Sequence, residues 1–139
     1  MPTKNADVSE RFIDQVINGR DYAQIDDIVA ADFVYIDPVR GRLVGPDELK
    51  RVIKELTTAF PDLEWIEDEQ IDSGDILVSR FTWSGTHVGH FRDLPPTGRK
   101  VIVSGVTINR ISDSIMRESR MFRDDLGLMR QLGYVPERH

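Results

Sequence analysis

The stretch FTWSGTHVGHFRDLPPTGRKVIVSGVTINRI, Phe81 to Ile111, decides the fold. On its near side Leu77, Phe81 and Trp83 alternate with Arg80, Thr82, Ser84 and Thr86, the period of two of a strand with unlike faces. Leu94 to Lys100, with Pro95-Pro96 and Thr97-Gly98, interrupts regular structure and makes a long connection. A second strand follows it. Working outward, strands are expected over 63–72, 75–88, 100–111 and 114–124. Ser73-Gly74-Asp75 punctuates the first pair. Ser112-Asp113-Ser114 turns the last pair without the glycine that favours such hairpins.

The front of the chain reads differently. Val8, Phe12, Ile13, Val16 and Ile17 recur at helical spacing and predict a helix over 6–18, with Gly19 at its C-terminal cap. Asp21 can cap a second helix over 21–30 that carries Tyr22, Ile25, Ile28 and Val29 on one side. DFVYID, Asp32 to Asp37, reads as a short strand stopped by Pro38. A third helix over 46–59 opens on Pro46, with Asp47 and Glu48 in its first turn and Leu49, Val52, Ile53 and Leu56 as its apolar stripe. Phe60-Pro61 ends it. A short helix begins near Asp125. Helices followed by a run of antiparallel strands predict a single α+β domain over 1–139, its helices packed on one face of a curved sheet.

Composition bounds the function. A chain of 139 residues builds one core without staples. Twenty-four acidic against 18 basic residues, a net charge of −6, disfavour nucleic acid or an anionic membrane as partner. With no cysteine there is no thiol chemistry. No segment has the length of a signal or membrane span, so a cytoplasmic protein is expected. His87, His90 and the distant His139 do not make a metal site, and the acidic run from Glu64 to Asp75 lacks the spacing of a calcium loop. Gly85, Gly89 and Gly98 do not form a phosphate loop.

The last strand carries charges on both faces. Its even row is Met116, Glu118, Arg120, Phe122 and Asp124, and its odd row is Ile115, Arg117, Ser119, Met121 and Arg123. A buried charge needs a partner or water, so either the strand is an exposed edge or one charged row lines a polar cavity. Arg80, Thr82, Ser84 and Thr86 raise the same possibility for the earlier strand. Trp65, Trp83 and Phe81 read as core.

The quoted stretch, together with DDLGLMRQLG from Asp124 to Gly133, resembles the SnoaL-like polyketide cyclases, which are built on the nuclear transport factor two-like cone. NGRDYAQIDDIVAADFVYIDP (Asn18 to Pro38) and GPDELKRVIKELTTAFPDLEW (Gly45 to Trp65) carry the likeness through the front half. The resemblance implies a cone of curved antiparallel sheet, three N-terminal helices across its mouth, and a pocket between them. It further implies a homodimer through the outer sheet face, where Phe81 or Trp83 would be exposed. The implied chemistry is intramolecular aldol condensation of a small hydrophobic or polyketide-like molecule, as in an ester cyclase, without cofactor or metal.

The resemblance also implies a carboxylate acid–base at the end of the last strand, which falls on Asp124. Parity agrees, placing Asp124 with Glu118, Arg120 and Phe122, while Asp125 falls at the helix start. On this reading Glu118, Arg120, Phe122, Arg80 and, at the rim, His87 line the ligand pocket. Against that stands the reading of Asp124 as a helix cap or an ion-pair partner of Arg120 or Arg123. Two departures matter. Ile36 and Arg120 stand where the family usually carries His and Trp, and Arg120 would favour ionised Asp124 and an anionic ligand. Two classes remain in view: a cofactor-independent cyclase, isomerase, hydratase or hydrolase, and a non-catalytic ligand-binding or interaction protein of the same fold.

Overall fold

The computed structural model describes residues 4–134. His139 lies outside them. The chain runs α1 (Lys4–Arg11), α2 (Ile25–Ile28), β1 (Val29–Asp37), β2 (Gly41–Val44), α3 (Pro46–Ala59), β3 (Glu64–Asp72), β4 (Ile76–Thr86), β5 (Lys100–Ser112), β6 (Ile115–Arg123) and α4 (Asp125–Leu132). Phe12–Ile17 continues α1 in wider π-helical turns, and Tyr22–Gln24 leads into α2 as a single 3-10 turn. None of these helices is long and apolar enough to cross a membrane.

One six-stranded sheet has the order β2-β1-β6-β5-β4-β3. Every pairing is antiparallel except β1 with β6, where Tyr35 faces Ser119 in parallel register. The α+β cone is therefore as expected, with one parallel seam and a short extra strand, β2, that periodicity did not reveal. The second helix is also shorter than expected. The chain is already extended at Val29, whose β-branched side chain and those that follow feed the buried row of β1.

Concave packing follows the alternation. On β4 it is Leu77, Ser79, Phe81 and Trp83 that are buried, and Trp65 stacks on Phe81 at 4.1 Å. The expectation that Phe81 or Trp83 is exposed on the outer face is thus corrected. Each is at most 2% exposed, because the odd row of β4 faces the helices. Leu49, Val52 and Ile53 of α3 close over the sheet as their spacing required. Gly105 on β5 is needed for close approach, since a Cβ there would sit 2.5 Å from the Phe81 ring tip.

Candidate active site

Between the sheet and the α1 and α3 helices lies a cavity of about 90 Å³, lined by apolar side chains such as Phe12, Phe33, Val52 and Met121. Pockets for drug-sized ligands run to ~300–1,000 Å³, so this one fits a small ligand as it stands. Apart from Ser9, whose hydroxyl bonds Glu67, its polar lining falls into two groups. Ser79, Thr107, Asn109 and Ser119 come from the concave rows of β4, β5 and β6, and Tyr35, Arg40, Arg92 and Arg123 gather at the far ends of β1 and β6.

The second group is a connected network. Asp37 ends β1 on the same buried row as Phe33 and Tyr35, and its side chain is 0% exposed. Its Oδ1 accepts the backbone N–H of Val39 at 2.7 Å and of Arg40 at 2.6 Å, the Asx arrangement that turns β1 into β2. Its Oδ2 accepts the Tyr35 hydroxyl at 2.8 Å and faces Arg123 Nη1 at 3.5 Å. Arg123 Nε donates to Asp125 Oδ1 at 2.9 Å, and Arg92 Nη2 donates to the same oxygen at 3.0 Å. Arg40 pairs with Glu55 at 2.7 Å. The acids stand behind the network, and only Tyr35 and the arginines reach the cavity wall.

Titration follows from this geometry. Burial alone would lift the Asp37 carboxyl. The Arg40 amide, the Tyr35 hydroxyl, Arg123 and the Val39 amide outweigh it and hold the group below the usual aspartate range. Burial first, and then the Asp37 charge, push the Tyr35 phenol far above its ordinary value, so it stays protonated. Burial also works against the Arg123 charge, but Asp125, Tyr35 and Asp37 more than restore it.

The expected site residues sit elsewhere. Asp124 is the N-cap of α4, where its Oδ1 accepts the Gly127 N–H at 2.8 Å, and it does not line the cavity. Asp125, expected at the helix start alone, is the one that joins the arginines. From Glu118 onward the even row of β6 is turned outward. Phe122 is 50% exposed, and Glu118 meets Arg110 and Arg120, each at 3.4 Å, outside the cone. The cause is a bulge. Arg110 pairs with Glu118 but Ile111 with Met116, so the pairing skips Arg117 and alternation changes face between Met116 and Ser119. Met116 is buried on the even row and Ser119 on the odd one.

Arg80 likewise faces outward, pairing with Asp68 and Glu69. His87 is fully buried, stacked on Phe60 at 5.4 Å, with Nδ1 3.0 Å from Thr97 Oγ1. Burial presses its imidazole below the ordinary value. It pins the Leu94–Lys100 connection and does not line the cavity. Sequence reasoning passed over Tyr35, Asp37, Arg40 and Arg92, and it offered Arg123 only as a partner for Asp124, whereas Arg123 pairs with Asp125 and Asp37. The available signal was the row Phe33, Tyr35, Asp37, which carries a carboxylate onto an otherwise apolar face. Among the described residues no three His, Asp or Glu side chains converge as a metal site.

Comparison with known proteins agrees with this architecture. The family profile of the SnoaL-like polyketide cyclases matches residues 7–132. Aklanonic acid methyl ester cyclase DnrD of Streptomyces peucetius is 26% identical over 130 residues, 88% of each chain. Nogalonic acid methyl ester cyclase of Streptomyces nogalater is 27% identical over 113 residues, covering 78% of this chain and 83% of the relative. Among solved structures, TsrD from Streptomyces laurentii superposes with a TM-score of 0.85 at 26% identity, covering 95% of this chain and 96% of its own.

Proposed function

We propose, from the premise that this chain belongs to the SnoaL-like polyketide cyclase family, that its cavity is the active centre of a cofactor-independent acid–base enzyme acting on a polyketide-like carbonyl compound. One observation carries the reading: a buried, ionised carboxylate, Asp37, meets the cavity through the hydroxyl of Tyr35, with Arg123 beside both. The relatives are named as cyclases of aklanonic and nogalonic acid methyl esters, and the reaction type is what we carry over.

In the proposed step Tyr35 Oη takes a proton from a substrate C–H while its own proton passes to Asp37 Oδ2. The carbanion, delocalised as an enolate, attacks a second carbonyl. A C–C bond forms and the π pair moves to oxygen. The proton then returns from Asp37 through Tyr35 to the alkoxide. Arg123 stays charged throughout and stabilises the enolate and alkoxide. Electrons balance without a redox partner. A carboxylate held below its usual range is a weak base, so the substrate C–H must be acidic, as between two carbonyls.

The acid–base role that the resemblance gave to Asp124 becomes in this proposal a positioning one. By capping α4 it fixes Asp125 against Arg123 and Arg92. The test is solvent-deuterium exchange into the methylene of a β-keto ester probe, followed by NMR. Wild-type protein should accelerate exchange, and Tyr35→Phe should lower the acceleration about 100-fold. No acceleration by the wild type with any β-dicarbonyl would favour the non-catalytic ligand-binding reading.

A further inference from the structure

The two polar groups of the cavity wall make different demands on a ligand. At the deep end Asn109 is 5% exposed, and its Nδ2 donates to Thr107 Oγ1 at 3.3 Å. Its Oδ1 is buried in the lining without a protein partner. A buried amide oxygen left unpaired costs about 1–3 kcal/mol, so a ligand donor there is favoured. Ser119, the cross-strand neighbour of Asn109, lines the same spot. Ser79 does not compete, because its hydroxyl already bonds Glu67. A ligand hydroxyl fits best, since it can donate to the amide oxygen and accept in turn.

At the other end every charged side chain that lines the cavity is an arginine, Arg40, Arg92 and Arg123. Arg92 Nε is buried without a partner, and its guanidinium lies 4.6 Å above the Phe91 ring. Burial, then the Arg123 charge and, more weakly, Arg40, press the Arg92 guanidinium down, partly offset by Asp125. An anion at this spot would relieve that repulsion. Arg123 pairs across the sheet with Gly105, four positions from Asn109, about 14 Å at ~3.4 Å per residue. Arginine and asparagine side chains reaching inward shorten that span toward one ring and a short arm, and the wall between carries Met121 beside Thr107, whose hydroxyl already accepts from Asn109.

We propose that the ligand of this cavity is a small hydroxy acid, one ring in size, with its hydroxyl on Asn109 and Ser119 and its free carboxylate on Arg92 and Arg40. This rests on the reading above in taking the cavity as the substrate site, and it departs from the esters named for the relatives.

The full chain is titrated calorimetrically with 4-hydroxycinnamate, its methyl ester and cinnamate. The hydroxy acid should bind roughly tenfold or more tighter than the ester, and several-fold tighter than cinnamate. Arg92→Met should erase the preference for acid over ester and keep that for the hydroxyl. Asn109→Leu should do the reverse. If either variant fails to fold, the wild-type ranking alone decides. Equal binding of acid and ester, or no binding of the three at millimolar concentration, would overturn the proposal. Calorimetry reads binding and not turnover. The predicted ranking without any proton exchange would defeat the catalytic reading alone, and exchange with the ranking reversed would defeat this proposal alone.

Discussion

At Asp37 burial and hydrogen bonding pull the carboxyl in opposite directions, and the hydrogen bonds win. The folded pKa therefore lies below the unfolded one. A group depressed in this way stabilises the fold above its unfolded pKa, and that stability is lost as pH falls through the folded value. Activity that needs ionised Asp37 should follow the same course. We predict a rate of proton exchange that is level from pH 8 to pH 5, with its acid limb below the ordinary aspartate value of 3.8. A limb centred near pH 6 would point to another base. Asp37 was passed over, although the row Phe33, Tyr35, Asp37 puts a carboxylate on an otherwise apolar face. Its partner Arg123 comes from far along the chain, as does Arg92 to Asp125, and no periodicity records either meeting.

Helices and strands were legible where local chemistry decides them, as where Pro46 opens α3. The expected caps were not: Asn18 and not Gly19 ends the first helical segment, Asp21 makes no side-chain cap bond, and Gly133, which closes α4 at φ 83°, was not anticipated. The parity of β6 was not legible either, because one bulged residue, Arg117, reverses its second half while Met116 and Phe122 keep the even row looking apolar. The same strand end separates the neighbours Asp124 and Asp125 into cap and ion-pair partner. Removing the cap tests that division. Asp124→Ala should cost about 1 kcal/mol, near 3 °C in Tm, by thermal unfolding. A loss within error would mean that Gly127 N–H finds another acceptor and the cap contributes nothing.

Across the whole molecule the sheet hides one face under helices and leaves the other open. Ile66, Ile102 and Phe122 are each half or more exposed on the open side, among Arg80, Arg110 and Arg120. Patches of that kind mark contacts between chains. We predict a homodimer at micromolar concentration by light scattering, reduced to monomer by Ile102→Lys with Phe122→Lys. A monomeric wild type would contradict it. The cone's other side encloses the proton path, and either Asp37 or Asp124 must serve it. The direct measurement is deuterium exchange into a β-keto ester, with Asp37→Asn and Asp124→Asn compared side by side. Asparagine caps helices as well as aspartate does, so the second variant keeps α4 in place. We predict that Asp37→Asn loses about 100-fold of the exchange rate while Asp124→Asn stays within a few-fold of wild type. Loss of exchange in Asp124→Asn with Asp37→Asn unaffected would contradict the account.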